Sequence, residues 1–176
     1  AAQLGAPLVV LHASYEPIAD HTRADRLVQA QQQINALTRL ATDQDCGLAI
    51  ELLPRTCLGN RVDELLLLAS ALGPTSGGVC LDTNHGMDRY RELPGDIQRL
   101  RPVLRALHIS DYDGVDEQHQ LPGTGVVDWA ACFRALREIG YRGPCTYECA
   151  LAGATPQERL HTLAENFAWI TRGSHD

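Results

Sequence analysis

The sequence contains no lysine, and all 15 of its basic residues are arginine. This absence excludes the chemistries that need a lysine amine, namely Schiff-base aldolases, pyridoxal phosphate enzymes and P-loop nucleotide hydrolases. An enzyme of this composition is therefore expected to rely on a metal ion or on carboxylates for its chemistry.

Long hydrophobic runs and basic stripes are absent too. No apolar run approaches the ~20 residues that cross a bilayer, and no signal peptide is visible. The formal net charge of −7 disfavours binding to nucleic acid phosphates. The first residues, Ala1–Gly5, are typical of the last turn of a helix rather than of the surroundings of an initiator methionine. Because the apolar runs are short and the net charge is negative, we expect neither a membrane nor a nucleic acid as a partner.

The cysteine pattern gives no sign of a disulfide framework or a zinc finger. None of the six cysteines belongs to a CxxC pair. They are Cys46, Cys57, Cys80, Cys132, Cys145 and Cys149. We expect a reducing, cytoplasmic compartment. A hydrophobic content of 44% in 176 residues predicts a single domain over residues 1–176 with a real core.

Five short apolar runs each end in a residue that can bind metal or transfer protons. They are Leu8–His12 (LVVLH), Leu48–Glu51 (LAIE), Val79–Asp82 (VCLD), Ala106–His108 (ALH) and Cys145–Glu148 (CTYE). Continuous apolar runs of this kind are typical of strands in a parallel sheet, which is covered on both faces. One polar residue at the end of a strand is ordinary, but five in series predict side chains that converge on one point.

Stretches with helical periodicity separate the runs. They are predicted at about Arg23–Ala41, from Val62 onward, around Asp96–Leu104, over Trp129–Ile139, and from Thr155 to about Thr171. Asn60 and Asp128 are plausible N-caps, and Gly140 is placed to end the fourth helix. Thr155 and Glu158 have the spacing of a capping box.

Strands alternating with helices predict right-handed βαβ units and therefore an α/β fold with a parallel sheet. A complete eight-stranded barrel needs about 250 residues. Five units are present, so the chain is either an open sheet or the larger part of a barrel. The helix-like start at Ala1–Gly5 favours the barrel.

Glu51, Asp82, His108 and Glu148 form the inner set of candidate site residues. Three carboxylates and one imidazole make an oxygen-rich site, which suits Mn²⁺, Mg²⁺ or Co²⁺ better than structural Zn²⁺, although zinc is possible. Because the carboxyl ends of parallel strands meet at one edge, these side chains are predicted to hold one divalent metal ion.

An outer set is placed to contact a substrate. His12 ends the first run, His85 follows Asp82 by three residues, and Arg55 lies just past Glu51, where it could meet an anionic group. His119 lies in a long, glycine-containing loop, and loops of this length are usually functional.

Two aspartates at the start of that loop have alternative interpretations. Asp111 and Asp113 follow His108 closely, so either one could orient an imidazole through its far nitrogen. Both are equally suited to forming a turn.

At these residues the sequence resembles the xylose isomerase-like TIM-barrel superfamily, in its sugar phosphate isomerase/epimerase group. The matching segments are LAIELLPR, VCLDTNHG, LHISDYDG, HQLPGTGVVDW and GPCTYE. The resemblance implies a (β/α)8 barrel that is incomplete here, with about strands 4–8 present. It also implies that the inner set binds the metal, that Glu51 and Glu148 are the acid–base pair, and that His85 and His119 contact substrate or further metal.

The function implied is that of a metal-dependent sugar or sugar phosphate isomerase or epimerase. Such an enzyme abstracts the proton next to a carbonyl and passes through an enediolate. A small-molecule sugar is the expected partner, and a homo-oligomer is the expected assembly. Two alternatives stay open: an endonuclease IV-like zinc phosphodiesterase of the same superfamily, and a non-catalytic truncated barrel that binds a partner or metal.

Overall fold

A computed structural model describes residues 1–15, 18–73 and 77–172 of the chain. One sheet of five parallel strands runs through it in the order β1-β2-β3-β4-β5. The strands are β1 (Leu8–Leu11), β2 (Gly47–Glu51), β3 (Gly77–Asp82), β4 (Leu104–Ile109) and β5 (Cys145–Tyr147). A helix follows each strand: α1 (Asp20–Thr42), α2 (Val62–Ala69), α3 (Leu93–Leu100), α4 (Trp129–Glu138) and α5 (Pro156–Arg172). The predicted α/β fold with parallel strands is confirmed as a half-barrel.

The two faces of the sheet carry side chains of different size. The inner face, opposite the helices, holds the small buried residues Ala49, Cys80 and Ala106. The outer face holds larger aliphatic residues that pack beneath the helices, among them Leu48, Ile50, Val79, Leu81, Leu107 and Ile109. Successive side chains of a strand alternate between faces. The inner face therefore ends, two residues further along, in the polar side chains of the candidate site.

The layer between the sheet and the central helices is the main core. Leu65 and Leu68 of α2, Leu93 and Leu100 of α3, and Leu81 of β3 are all 0% exposed. Burying a side chain of this kind contributes roughly 1.5–3 kcal/mol each. This layer fixes the positions of β2, β3 and β4, and with them the polar residues at their ends.

The predicted boundaries around the third helix were wrong. It was predicted at about Asp96–Leu104, but α3 spans Leu93–Leu100, because Pro94 is tolerated in the first helical turn and Leu104 already belongs to β4. A 3₁₀ segment, Met87–Glu92, precedes it. The strand predicted from Ala106 begins two residues earlier, at Leu104.

The predicted cap at Asn60 was also wrong. Arg61 is the residue that precedes α2, and no side chain caps this helix. The Asn60 side chain instead accepts a hydrogen bond from Arg23 and donates one to the carbonyl oxygen of Arg55. These tertiary contacts outweigh the local preference of asparagine for an N-cap.

The first helix begins at Asp20, three residues before the predicted Arg23. The end signals predicted for the fourth and fifth helices are confirmed. The Asp128 side chain accepts a hydrogen bond from the Ala131 N–H at 2.9 Å, and Gly140 follows α4 with a φ of +69°. Thr155 and Glu158 form the reciprocal hydrogen bonds of a capping box at 3.0 and 3.2 Å. In the described part of the chain, no helix is both long and apolar enough to cross a membrane.

Candidate metal centre

The inner set of predicted residues comes together at the carboxyl ends of the strands. Glu51 ends β2, Asp82 ends β3, His108 is the second-last residue of β4, and Glu148 follows β5. The register pairs Asp82 directly with His108. One ligand atom from each residue lies within 4.8 Å of those from the other three. The structure therefore forms the four-residue cluster that the sequence predicts, while its role in metal binding stays a prediction.

Hydrogen bonds between carboxylate and imidazole hold the cluster together. The Nδ1–H of His108 donates to Glu51 Oε1 at 3.0 Å and lies 2.7 Å from Glu148 Oε2. His12 Nε2 lies 3.0 Å from Glu51 Oε2, because the register of β1 and β2 continues to place His12 beside Glu51. His108 Nδ1 thus occupies a point between two carboxylates.

The pKa values within the cluster show how strongly these groups interact. Burial raises the pKa of Glu51, but the hydrogen bond from His108 and the charges of the nearby histidines lower it more, so it lies below its usual value. The hydrogen bond to Glu51 raises the pKa of His108 in spite of the histidine's own burial. The interaction therefore stabilises the ionised form of Glu51 and the protonated form of His108 relative to the isolated groups.

The buried carboxylate of Asp82 indicates whether a cation fits the four-residue cluster. Its Oδ1 accepts hydrogen bonds from the backbone N–H groups of Asn84 at 2.7 Å and His85 at 3.2 Å. Its Oδ2 is fully buried and has no hydrogen-bond partner among the described residues. Burial accordingly raises the pKa of Asp82. A buried carboxylate oxygen without a donor is costly, and a bound cation would satisfy it.

The composition of the cluster agrees with a divalent ion. Three carboxylates and one imidazole supply oxygen and nitrogen ligands, which suit Mn²⁺, Mg²⁺ or Co²⁺ and are compatible with Zn²⁺. The residues present therefore fit the expected metal.

A second cluster, formed by His85, Glu117 and His119, adjoins the first. Its ligand atoms also lie within 4.8 Å of one another. The Nδ1–H of His85 donates to the carbonyl oxygen of Leu52 at 2.8 Å, which leaves Nε2 directed at Glu117 Oε1 at 3.4 Å. His119 Nε2 lies 3.1 Å from the same oxygen. The two clusters are close neighbours, since His85 Nδ1 is only 3.6 Å from Glu51 Oε1.

Glu117 belongs to the second cluster but was not predicted from the sequence. It lies in the loop between β4 and α4, where no periodicity marks inward-facing positions. Its oxygens contact His85, His119 and Arg55. The signal that could have identified it is its position two residues before His119 in an acidic stretch.

The remaining outer residues differ in how they are engaged. His12, with a side chain 45% exposed, contacts Glu51 directly. Arg55 lies apart from the four-residue cluster and forms ion pairs with Asp116 at 2.8 Å and Glu117 at 2.5 Å. Substrate contacts by His12, His85, His119 and Arg55 stay predictions.

The long loop is held in place by Asp111, which is 0% exposed. Its carboxylate accepts hydrogen bonds from the N–H groups of Gly123 and Val127 and from the Trp129 indole, at 2.7, 3.0 and 2.9 Å. A Cβ at Gly125 would lie 2.6 Å from Asp111 Oδ1, so only glycine fits there. Of the two roles proposed for this aspartate, the structure therefore shows the turn-forming one.

Asp113 likewise forms a turn, through the N–H groups of Val115 and Asp116 at 2.7 Å each. The backbone of His119, a few residues further on, has a φ of +46°, in the left-handed region that residues other than glycine rarely adopt. The loop conformation therefore holds the imidazole of His119 against Glu117.

Fold and cluster together define a parallel α/β half-barrel with a candidate metal centre at the carboxyl ends of its strands. The chain belongs to the xylose isomerase-like TIM barrel family, whose sequence profile matches residues 1–172. The resemblance drawn from the sequence motifs is thereby confirmed.

Individual proteins show the same relationship. Over 194 residues the chain is 29% identical to protein y4fM of Sinorhizobium fredii, covering 100% of this chain and 59% of that protein. It is 27% identical over 142 residues to a ketose 3-epimerase of Arthrobacter globiformis, covering 79% of this chain and 47% of the epimerase. The chain thus spans about half the length of the curated relatives it matches.

A solved structure shares the fold. A D-tagatose 3-epimerase-like protein superposes with a TM-score of 0.82 at 20% identity, covering 97% of this chain and 66% of that protein. At this level of identity the similarity concerns the fold.

Proposed function

We propose that this chain carries the catalytic half of a divalent-metal-dependent ketose epimerase or isomerase. The observation that carries the proposal is the cluster of Glu51, Asp82, His108 and Glu148, whose ligand atoms lie within 4.8 Å of one another. The similarity to a ketose 3-epimerase supports a sugar substrate.

The reaction begins with a proton that is too weakly acidic to leave unaided. Glu51 is the proposed base, because it is buried yet its pKa lies below the usual value, so the carboxylate is ionised and able to accept a proton. Removing the proton from the carbon next to the carbonyl leaves the substrate as an enediolate. A bound divalent cation supplies positive charge where this negative charge develops.

Glu148 is the proposed partner that returns a proton. It reaches His108 Nδ1 from β5, whereas Glu51 reaches the same atom from β2, so the two carboxylates approach the site from different strands. Return of the proton from the second direction inverts the carbon, which is epimerisation. Return by Glu51 to the neighbouring carbon is isomerisation.

Solvent exchange tests this role of Glu51. The chain is loaded with Mn²⁺ and incubated in D₂O with D-fructose, D-psicose, D-tagatose and L-ribulose, and deuterium incorporation next to the carbonyl is followed by NMR. We expect exchange in at least one sugar and its loss in Glu51→Gln.

A matched control is Glu165→Gln, since Glu165 is an exposed glutamate on α5. This variant should exchange at the wild-type rate. Wild-type exchange in Glu51→Gln would exclude Glu51 as the base. Absence of exchange in all four sugars and in D-fructose 6-phosphate would refute the proposal for this chain.

The second cluster favours one alternative, an endonuclease IV-like zinc phosphodiesterase. His85, Glu117 and His119 could hold a further ion beside the first. The net charge of −7 is against it, because phosphodiester substrates attract basic surfaces. Metal analysis separates the two: we expect about one ion per chain for the epimerase and about three for the nuclease. Cleavage of DNA at an abasic site would support the nuclease.

A further inference from the structure

A cavity of about 390 Å³ beside the second cluster is bordered by three arginines. Arg55 comes from the segment after β2, Arg61 precedes α2, and Arg89 lies in the 3₁₀ segment after β3. His85 belongs both to the cavity wall and to the second cluster, so the cavity adjoins the candidate metal centre. Its volume is in the range that small-molecule sites occupy, roughly 300–1,000 Å³.

The charge of this cavity is opposite to that of the chain. The net charge of the protein is −7, yet three arginines are among the residues that line the cavity. Among the lining residues only Asp88 is acidic. Guanidinium groups bind phosphate and carboxylate through paired, charge-assisted hydrogen bonds. The lining therefore selects for an anionic group.

The three arginines differ in how far they are already engaged. Arg55 forms its ion pairs with Asp116 and Glu117. Arg89 donates a hydrogen bond to the carbonyl oxygen of Asn60, and its charge acts on the buried Asp96, but no carboxylate in the described part of the chain lies within ion-pair distance of it. The Arg61 side chain has no hydrogen bond or ion pair with any described residue. Arg61 and Arg89 are therefore the groups able to take up an anion.

A smaller cavity of about 230 Å³ shares Arg55 and His85 with the first. It is lined by His12 and Glu117 as well, so it borders both clusters. The two cavities therefore adjoin at Arg55 and His85.

We propose that the arginine-lined cavity binds a phosphate or carboxylate group at one end of the substrate, with Arg61 and Arg89 as its ligands. This inference rests on the proposed function, since it places the carbonyl end of the same sugar at the metal centre. It deepens that function by assigning an anionic sugar as the substrate class.

Titration of the full chain with inorganic phosphate or with acetate, followed by calorimetry, tests the cavity itself. We expect one of the two anions to bind, and we expect its dissociation constant to rise about tenfold in Arg61→Met and in Arg89→Met. Preference for phosphate identifies a phosphorylated sugar, and preference for acetate identifies a sugar acid. Arg134→Met, an exposed arginine on α4, is the matched control and should bind as the wild type does.

Two outcomes would overturn the proposal. One is unchanged anion affinity in both Arg61→Met and Arg89→Met. The other is anion binding that disappears when EDTA is added, because it would then belong to the metal. Arg61→Met should keep the wild-type melting temperature, since its side chain contacts no described partner, so a loss of binding in this variant cannot be attributed to misfolding.

A substrate comparison connects the cavity to turnover. If phosphate is the preferred anion, Arg61→Met should raise KM for D-fructose 6-phosphate about tenfold and leave KM for D-fructose unchanged. Equal effects on both sugars would contradict the assignment. The two proposals fail separately, because deuterium exchange reports on Glu51 whereas anion affinity reports on Arg61 and Arg89.

Discussion

The central strands and the edge strands of the half-barrel differ sharply in burial. In β2 and β3, Ile50, Val79, Cys80 and Leu81 are all 0% exposed. In β1 and β5, no residue is fully buried. The reason is topological, since β1 and β5 each pair with a neighbour on one side only within the described residues. Packing energy is therefore concentrated in the centre of the molecule.

The helices repeat this contrast. α2 buries Leu65 and Leu68 completely, whereas α5 buries only Ile170 and leaves Phe167 and Trp169 about half exposed. An edge helix with so little buried surface adds little to the free energy of unfolding. Local opening is expected to start there.

The candidate metal centre crosses the boundary between these regions. Glu51 and Asp82 come from central strands and have side chains 2% and 0% exposed, whereas those of Glu148 and His12 at the edges are 50% and 45% exposed. The central carboxylates are held by the core. The edge residues are held by a few polar contacts, so substitutions should have larger effects at the centre than at the edge.

The largest difference in the free energy of unfolding is expected between substitutions of two leucines, one in a buried strand and one in an edge strand. Leu107 in β4 is 1% exposed, and Leu11 in β1 is partly exposed. Leu107→Ala leaves a cavity in the core and should lower the free energy of unfolding by about 3 kcal/mol, against about 1 kcal/mol for Leu11→Ala. Urea denaturation followed by circular dichroism measures both. Equal losses of unfolding free energy in the two variants would contradict the difference proposed between central and edge strands.

The next effect concerns the loop that carries Glu117 and His119. Asp111→Asn removes the buried charge that binds three N–H groups, and should cost about 2 kcal/mol. Asp113→Asn is the control on the same loop, because its two hydrogen bonds are exposed, and should cost less than about 1 kcal/mol. Thermal unfolding compares them; a larger loss in Asp113→Asn would refute this account of the loop.

The smallest effect is expected at the edge helix α5. Backbone N–H donors of Thr155 and Ala154 lower the pKa of Glu158. Because the folded pKa is below the unfolded one, the stabilisation is present above about pH 4.3 and is lost as the pH falls through the folded value. Glu158→Gln should therefore lower the protection of α5 amides in hydrogen exchange at neutral pH and match the wild type at low pH. A difference that grows on acidification would contradict this.

The convergence of the four cluster residues was predictable from the sequence for a physical reason. In a parallel α/β fold, the carboxyl ends of all strands lie at one edge, so polar residues that end the apolar runs must approach each other. Glu51, Asp82, His108 and Glu148 each occupy such a position.

Residues whose environment depends on long-range contacts were not predictable. Glu117 contacts His85 from a loop that is anchored by the hydrogen bond between Asp111 and Trp129. Asn60 has the local preference of a helix cap, but Arg23, 37 positions away in sequence, takes its side-chain oxygen. Neither contact leaves a periodic signal in the sequence.

The measurement that tests the central claim most directly is the affinity of the chain for Mn²⁺. Titration of EDTA-treated, dialysed protein, followed by electron paramagnetic resonance, should show one site that Asp82→Asn weakens more than about a hundredfold, since it removes a charged ligand. Asp88→Asn, an exposed aspartate nearby, should bind as the wild type does. Unchanged Mn²⁺ affinity in Asp82→Asn would show that the four-residue cluster is not the metal centre.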